Sequence, residues 1–222
     1  MMSLIPQLSS SEPISILLLG AHSDDIEIGC GGTLMRLAEA LPHAHIHWAV
    51  FSASGLREEE ARNSAAQLLS PFRSSELSIF DFKDGYFPQG MGDIKDRFEA
   101  IKSQISPDVI FTHHCDDRHQ DHRIMGELTW NTFRDHFILE YEIPKYDGGL
   151  GSPNHFVTLS EAVVTQKCHH LIQHFASQRN QHWFSEDLFR GLMRLRGVEC
   201  RSATGFAEGF YCRKAIMSWS AS

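Results

Sequence analysis

The run ISILLL at residues 14–19 limits the fold most, because its only polar side chain is one serine. A strand with one face in water alternates polar and apolar residues, whereas an unbroken apolar run predicts a strand buried on both faces. Such strands are typical of parallel sheets that are covered by helices on both sides. This run therefore predicts an α/β protein.

Strand and helix patterns alternate along the rest of the chain. Apolar residues at helical spacing predict helices over 33–41, 56–70, 93–106, 124–133, 161–178 and 186–199. Apolar or alternating runs predict further strands over 45–52, 76–82, 108–113, 137–143 and 155–160, and an aromatic tail follows over 204–217. We expect one Rossmann-like domain over 1–222, with a flexible N-terminus at 1–12 and a mostly parallel sheet flanked by helices on both faces.

Composition excludes several classes of partner. A formal net charge of −8 argues against nucleic acid, which usually binds a concentrated basic face. The five cysteines have no CxxC spacing, so neither a disulfide framework nor a thiolate zinc cluster is predicted. With neither a secretory leader pattern nor an integral membrane segment, the chain is expected to be cytoplasmic and to act on a small molecule. A homo-oligomer is an alternative to a monomer.

Two groups of histidine and aspartate follow predicted strands. His22, Asp24 and Asp25 come soon after ISILLL, and a second group over 114–122 follows the strand at 108–113. Ligands of open parallel sheets bind beyond the carboxyl ends of the strands, so both groups are expected at the ligand-binding edge. Burying charged carboxylates costs several kcal/mol unless a cation compensates them, so the two groups together predict a divalent metal site.

The residue types suit a catalytic zinc ion. Such an ion takes three nitrogen or oxygen ligands from the protein and keeps one position for water. His22 and Asp25 can turn inward together, which leaves Asp24 free to accept a proton from water that the metal acidifies. The alternative for the aspartate pair is a turn with a helix N-cap.

Two motifs resemble those of a known enzyme family. GAHSDDIEIGCGGTL is similar to the AHPDD…GxGG signature of the PIG-L/LmbE-like deacetylases, and RHQDHR is similar to their HxDH signature. These zinc-dependent enzymes remove an N-acyl group from amino sugars. The similarity extends to REEEARNSAAQLL, YEIP, HFASQ and GFAEGF.

The resemblance implies a set of metal ligands and a base. His22, Asp25 and His122 would hold Zn²⁺, or Fe²⁺, which the same ligands suit. Asp24 would act as the general base. Ser23 stands where the family usually has proline, a difference that removes no functional group.

The resemblance also implies roles for residues beyond the ligands. His119 would polarise the scissile carbonyl or stabilise the oxyanion, and Asp121 would orient a neighbouring histidine. Arg57 matches an arginine that contacts substrate in relatives. Its alternative role is a surface residue in the first turn of a helix, paired with Glu60.

The expected activity is removal of an N-acetyl group from an amino sugar or an N-acetylglucosamine-containing glycoconjugate, with release of acetate. The alternative substrate is another small amide, such as a glycosylated thiol conjugate or an antibiotic intermediate. A non-catalytic module would be expected to have a damaged motif, and this motif is intact. A dinucleotide-binding oxidoreductase is disfavoured because the first loop lacks G-x-G-x-x-G and carries acids instead.

Overall fold

The strand built from the first apolar run lies in the interior of the sheet, where a strand buried on both faces belongs. The computed structural model describes residues 13–216, so the predicted flexible segment 1–12 lies outside the described residues. The strands are β1 (Ser15–His22), β2 (His45–Ser52), β3 (Ser74–Ile79), β4 (Val109–His113), β5 (Phe137–Tyr141), β6 (His155–Leu159) and β7 (Phe206–Tyr211). They form one sheet in the order β3-β2-β1-β4-β5-β7-β6.

The first five strands are parallel, and β7 is antiparallel to both β5 and β6. The helices are α1 (Asp25–Ala40), α2 (Leu56–Leu69), α3 (Met91–Gln104), α4 (Gln120–Thr132), α5 (Glu161–His174) and α6 (Glu186–Glu199). The predicted α/β class with a mostly parallel sheet is confirmed. No helix within residues 13–216 is long and apolar enough to cross a membrane.

The sheet buries apolar side chains on both faces. On β2, Ile46 and Trp48 pack in a cluster with residues of α1, α2, α5 and α6. Ala49 and Phe51 belong to a second cluster, which contains residues of α3 and α4. Successive strand residues point to opposite faces, so one strand can serve two cores.

Two helices begin four or more residues earlier than predicted. α1 begins at Asp25 rather than at residue 33, and α4 begins at Gln120 rather than at residue 124. The GCGG segment lowers helix propensity in α1, and the first turn of α4 is polar, so apolar periodicity detects only the later turns. Both histidine and aspartate motifs therefore lie at helix N-termini instead of in free loops.

α1 is interrupted at Cys30, whose φ of −143° and ψ of 17° are not helical. A buried ion pair replaces the hydrogen bonds that are lost there. Lys167 Nζ donates to the Ile28 carbonyl at 2.6 Å, and Glu208 accepts the Thr33 amide at 2.6 Å. Lys167 and Glu208 also contact each other at 2.6 Å, so one pair satisfies groups on both sides of the break.

The prediction that 204–217 is an aromatic tail after the last helix was wrong. Residues 206–211 form β7, which inserts between β5 and β6 and is buried along most of its length. Glu208 and Gly209 interrupt the apolar pattern of the strand, which hides it in the sequence. Buried Glu208 has its partners in α1 and α5, and sequence periodicity cannot reveal them.

Two glycines of α6 give a matched test of the packing between α6 and β7. A Cβ at Gly197 would lie 2.1 Å from the Gly205 oxygen, whereas a Cβ at Gly191 would meet nothing within 4 Å. We expect Gly197→Ala to lower the free energy of unfolding by about 2 kcal/mol or more through overpacking against backbone. Gly191→Ala should raise it by up to about 1 kcal/mol through helix propensity. Urea unfolding followed by circular dichroism measures both, and equal effects would contradict this packing.

Candidate metal centre

The two motifs meet at the carboxyl edge of the sheet because β1 and β4 are neighbours. His22 ends β1, and α1 begins directly after the Asp24 N-cap position. His119 is the N-cap residue of α4, whose first turn carries the other two residues of the HxDH motif. The structure thus brings together all six side chains of the two motifs: His22, Asp24, Asp25, His119, Asp121 and His122.

Three donor side chains face one another at the centre of this group, and Asp25 offers both of its carboxylate oxygens. His22 Nδ1 lies 3.2 Å from His122 Nε2 and 3.2 Å from Asp25 Oδ2, and His122 Nε2 lies 3.4 Å from Asp25 Oδ1. Ligand atoms around a tetrahedral zinc ion with bonds of about 2.0–2.1 Å lie about 3.3–3.4 Å apart. All three side chains are buried. The donor set therefore fits a small divalent cation in both spacing and chemistry.

Each imidazole of this set has a carboxylate behind it. Asp121 Oδ2 lies 3.2 Å from His22 Nε2, and Asp117 Oδ2 lies 3.1 Å from His122 Nδ1. Lys145 Nζ donates to the same Asp117 oxygen at 2.7 Å. Carboxylates in this position fix the orientation of a metal-binding histidine and place its proton on the far nitrogen. Asp117 belongs to the second predicted group, at 114–122, but the motifs give it no role, and nothing in the sequence pattern points to Lys145.

The electrostatics of the three donors suit metal binding. Burial, reinforced by repulsion from His113, lowers the pKa of His122 to about 3, so this imidazole keeps a free lone pair. Burial opposes ionisation of Asp25, but His122, His113 and His22 together hold its pKa well below the usual range. For His22 burial is outweighed by nearby carboxylates, Asp25 foremost, which raise its pKa well above normal. Metal binding would therefore displace a proton from His22.

Asp24 occupies the N-cap position of α1, but its side chain makes no cap hydrogen bond. Instead, Asp24 Oδ1 accepts a hydrogen bond from Arg57 Nη2 at 2.9 Å, and Arg57 Nε donates to Ser23 Oγ at 2.9 Å. Burial raises the pKa of Asp24 to about 6 against the opposing charge of Arg57. Glu60, the alternative partner of Arg57, accepts from the Ser177 amide and hydroxyl.

His119 and Asp121 are held by backbone groups. His119 Nδ1 accepts from the Asp121 amide at 3.3 Å, so the ring proton of neutral His119 lies on Nε2. Burial lowers the pKa of His119, which favours this neutral form. The Gly85 and Phe87 amides donate to Asp121 at 2.6 Å and 3.1 Å. The loop at 83–90 is thus hydrogen-bonded directly to the site.

A second donor group shares His22. One ligand atom from each of four residues lies within 4.8 Å of the others: His22, Asp84, His119 and Asp121. Asp84 is 60% exposed in its side chain and lies 3.1 Å from His22 Nε2. Both oxygens of Asp121 already accept backbone hydrogen bonds, so the buried set of His22, Asp25 and His122 is the better cation site. No sequence pattern points to Asp84, because it lies in a turn-rich loop outside both motifs.

Comparison with known proteins identifies the family of this chain. The sequence model of the family described as PIG-L, GlcNAc-PI de-N-acetylase, matches residues 17–133, more than half of the chain. The chain belongs to the PIG-L family. The matched range includes both motifs, so the resemblance seen in the sequence is confirmed.

Relatives of this PIG-L chain include the "Uncharacterized deacetylase YaiS" of Escherichia coli (strain K12). It is 34% identical over 146 residues, which cover 61% of this chain and 77% of the relative. The 4-carboxy-2-hydroxymuconate hydratase GalB of Pseudomonas putida KT2440 is structurally similar with a TM-score of 0.74, 19% identity and coverage of 94% and 100% of the two chains. The N,N'-diacetylchitobiose deacetylase of Pyrococcus horikoshii has a TM-score of 0.65, 18% identity and coverage of 89% and 83%. At these identities the structural likeness establishes the fold alone.

The two donor groups around His22 predict different effects of substitution. After gel filtration in metal-free buffer, the zinc-loaded protein should retain one tightly bound equivalent at this centre. His122→Ala should lose that equivalent, whereas Asp84→Ala should keep it, because Asp84 lies outside the buried set. Elemental analysis by plasma mass spectrometry measures both variants. Loss of zinc from the Asp84 variant with retention in the His122 variant would assign the ion to the group that contains Asp84 and His119 instead.

Proposed function

We propose that this chain is a metal-dependent N-deacetylase that hydrolyses the acetamide of an amino sugar or of an N-acetylglucosamine-containing glycoconjugate, releasing acetate. Membership of the PIG-L family supports a deacetylase. The observation that carries the proposal is a buried carboxylate, Asp24, directly beside the three-donor set but outside it. Amide hydrolysis needs such a base near an electrophilic centre.

His22, Asp25 and His122 would hold the ion, Zn²⁺ in our proposal and Fe²⁺ as the alternative that the same donors suit. A divalent cation supplies Lewis acidity, which acidifies water and polarises an acyl carbonyl. Asp121 and Asp117 keep the two imidazoles in the orientation that the ion needs.

Asp24 would remove a proton from the attacking water. Its Oδ1 is held by Arg57, which leaves Oδ2 for the water. Asp24 then carries the proton that the leaving nitrogen needs, so one carboxylate serves as base and afterwards as acid. Loss of the protonated amine completes the release of acetate.

His119 would stabilise the negative charge that develops on the carbonyl oxygen. Because Nδ1 accepts a backbone hydrogen bond, the Nε2–H is the group that can donate to that oxygen. A donor fixed in advance costs no reorganisation during the reaction. Arg57 is 30% exposed, so part of its guanidinium is accessible for the substrate contact that we also propose for it.

The catalytic groups touch only the amide, so other small amides are the alternative substrates, including a glycosylated thiol conjugate or an antibiotic intermediate. The net charge of −8 favours a small-molecule partner over nucleic acid. All five cysteines are free thiols, which suits a reducing compartment such as the cytoplasm.

Replacement of the base should separate catalysis from metal binding. Asp24→Asn is expected to keep the bound metal while deacetylation falls about 10²–10⁴-fold, the usual range for general acid–base catalysis. Release of acetate from a panel of N-acetyl sugars and other acetamides measures activity and ranks the two substrate classes. Asp116→Asn is the matched control, since Asp116 is 91% exposed. Near-normal activity of the Asp24 variant would remove this base assignment.

Removal of the oxyanion donor should also leave the metal in place. We expect His119→Ala to lower kcat about 10²–10³-fold, the effect of losing one such donor. Steady-state kinetics on the best acetamide, with metal content measured on the same sample, distinguishes this from loss of the ion. A change in KM alone would contradict the role in the reaction step.

A further inference from the structure

A second cluster of imidazole and carboxylate groups lies at the opposite end of the sheet from the candidate metal centre. It consists of His45 and His47 on β2 and Glu76 on β3, whose ligand atoms lie within 4.8 Å of one another. His22 pairs with Ser52, seven residues along β2 from His45 (45 to 52). At ~3.3 Å per strand residue the two groups are roughly 23 Å apart. They share no residue.

Strand geometry brings these three side chains together. His45 and His47 are two residues apart on one strand, so they project from the same face of the sheet. The parallel register pairs His47 with Glu76 and His45 with Ser74. The two imidazole rings lie 4.2 Å apart between centroids. Glu76 Oε1 lies 3.8 Å from His45 Nε2, and Oε2 lies 3.5 Å from His47 Nδ1.

A hydrogen bond already orients His45 as a ligand. Its Nδ1 lies 2.5 Å from Ser74 Oγ, which leaves Nε2 directed towards Glu76. Metal-binding histidines usually engage their second nitrogen in this way. The contacts from Glu76 to the two rings, at 3.8 Å and 3.5 Å, are longer than the usual hydrogen bond and match the spacing of ligand atoms around a cation.

The surroundings leave the cluster accessible to an ion. The side chains of His45 and His47 are 26% and 12% exposed, and that of Glu76 is 67% exposed and can close on a cation. β3 is an edge strand of the sheet. Its first three residues, 74–76, lie at this end and are exposed. Apolar packing therefore holds this end of β3 weakly.

We infer that His45, His47 and Glu76 form a second divalent metal site, of the zinc class, which fastens the edge strand β3 to β2. Two imidazoles and one carboxylate are a ligand set that zinc accepts, with water completing the coordination. The site is structural, because it is remote from the proposed reaction centre. It does not depend on the proposed function.

Zinc titration of the holoprotein tests this site. The full chain, with its first equivalent bound, is titrated with ZnCl₂ by isothermal titration calorimetry. Wild type should take up a second equivalent, and His45→Asn and Glu76→Gln should each weaken that uptake by more than tenfold. Ser74→Ala, which removes only the orienting hydrogen bond, should weaken it by roughly tenfold. His43→Ala is the matched control, an exposed histidine of the same segment that lies outside the cluster.

Two further measurements distinguish loss of the second site from misfolding and from loss of the first site. Retention of the first zinc equivalent shows that each variant is folded, and added zinc should raise the Tm of wild type but not that of His45→Asn. His122→Ala should lose the first equivalent and keep the second, which separates this inference from the proposed function. Absence of a second equivalent in wild type, or equal uptake by the His45 and Glu76 variants, would overturn the inference.

Discussion

The structure depends on the meeting of three buried donor side chains between the ends of β1 and β4. His22 Nδ1 lies 3.2 Å from His122 Nε2, and the two carboxylate oxygens of Asp25 lie 3.2 Å from the first nitrogen and 3.4 Å from the second. All three residues are buried. Lone pairs held this close, away from water, need a cation or a proton between them. The proposed hydrolysis requires that the site holds the cation.

The rest of the fold serves to keep these donors in place. Adjacent parallel strands bring the two motifs to one edge, and helix N-termini aim them inward. Asp121 is itself fixed by two backbone amides of the loop at 83–90, and Asp117 by Lys145. Behind the first motif, the Lys167–Glu208 pair supports the broken helix α1. Residues that are distant in the sequence thus help to fix the positions of the donor side chains.

The sequence predicted the architecture and the meeting of the two motifs at one edge of the sheet, because both depend on local patterns. Apolar runs identify buried strands. The residues that follow each run then lie at the carboxyl ends of the strands, where ligands of parallel sheets bind. The residues that were missed act across long sequence separations. Lys145 reaches Asp117, and Glu208 reaches α1, through contacts that no local spacing encodes. For the same reason His45 and His47 form a candidate ligand set only once the register places Glu76 opposite His47 and within reach of His45.

The most direct measurement is anomalous diffraction at the zinc edge from crystals of the zinc-loaded protein. We expect a strong peak at about 2.0–2.2 Å from His22 Nδ1, His122 Nε2 and an Asp25 oxygen, with Asp24 outside the coordination shell. A peak bound instead by Asp84 and His119, or crystals in which His22 and His122 turn away from each other around an empty centre, would contradict it.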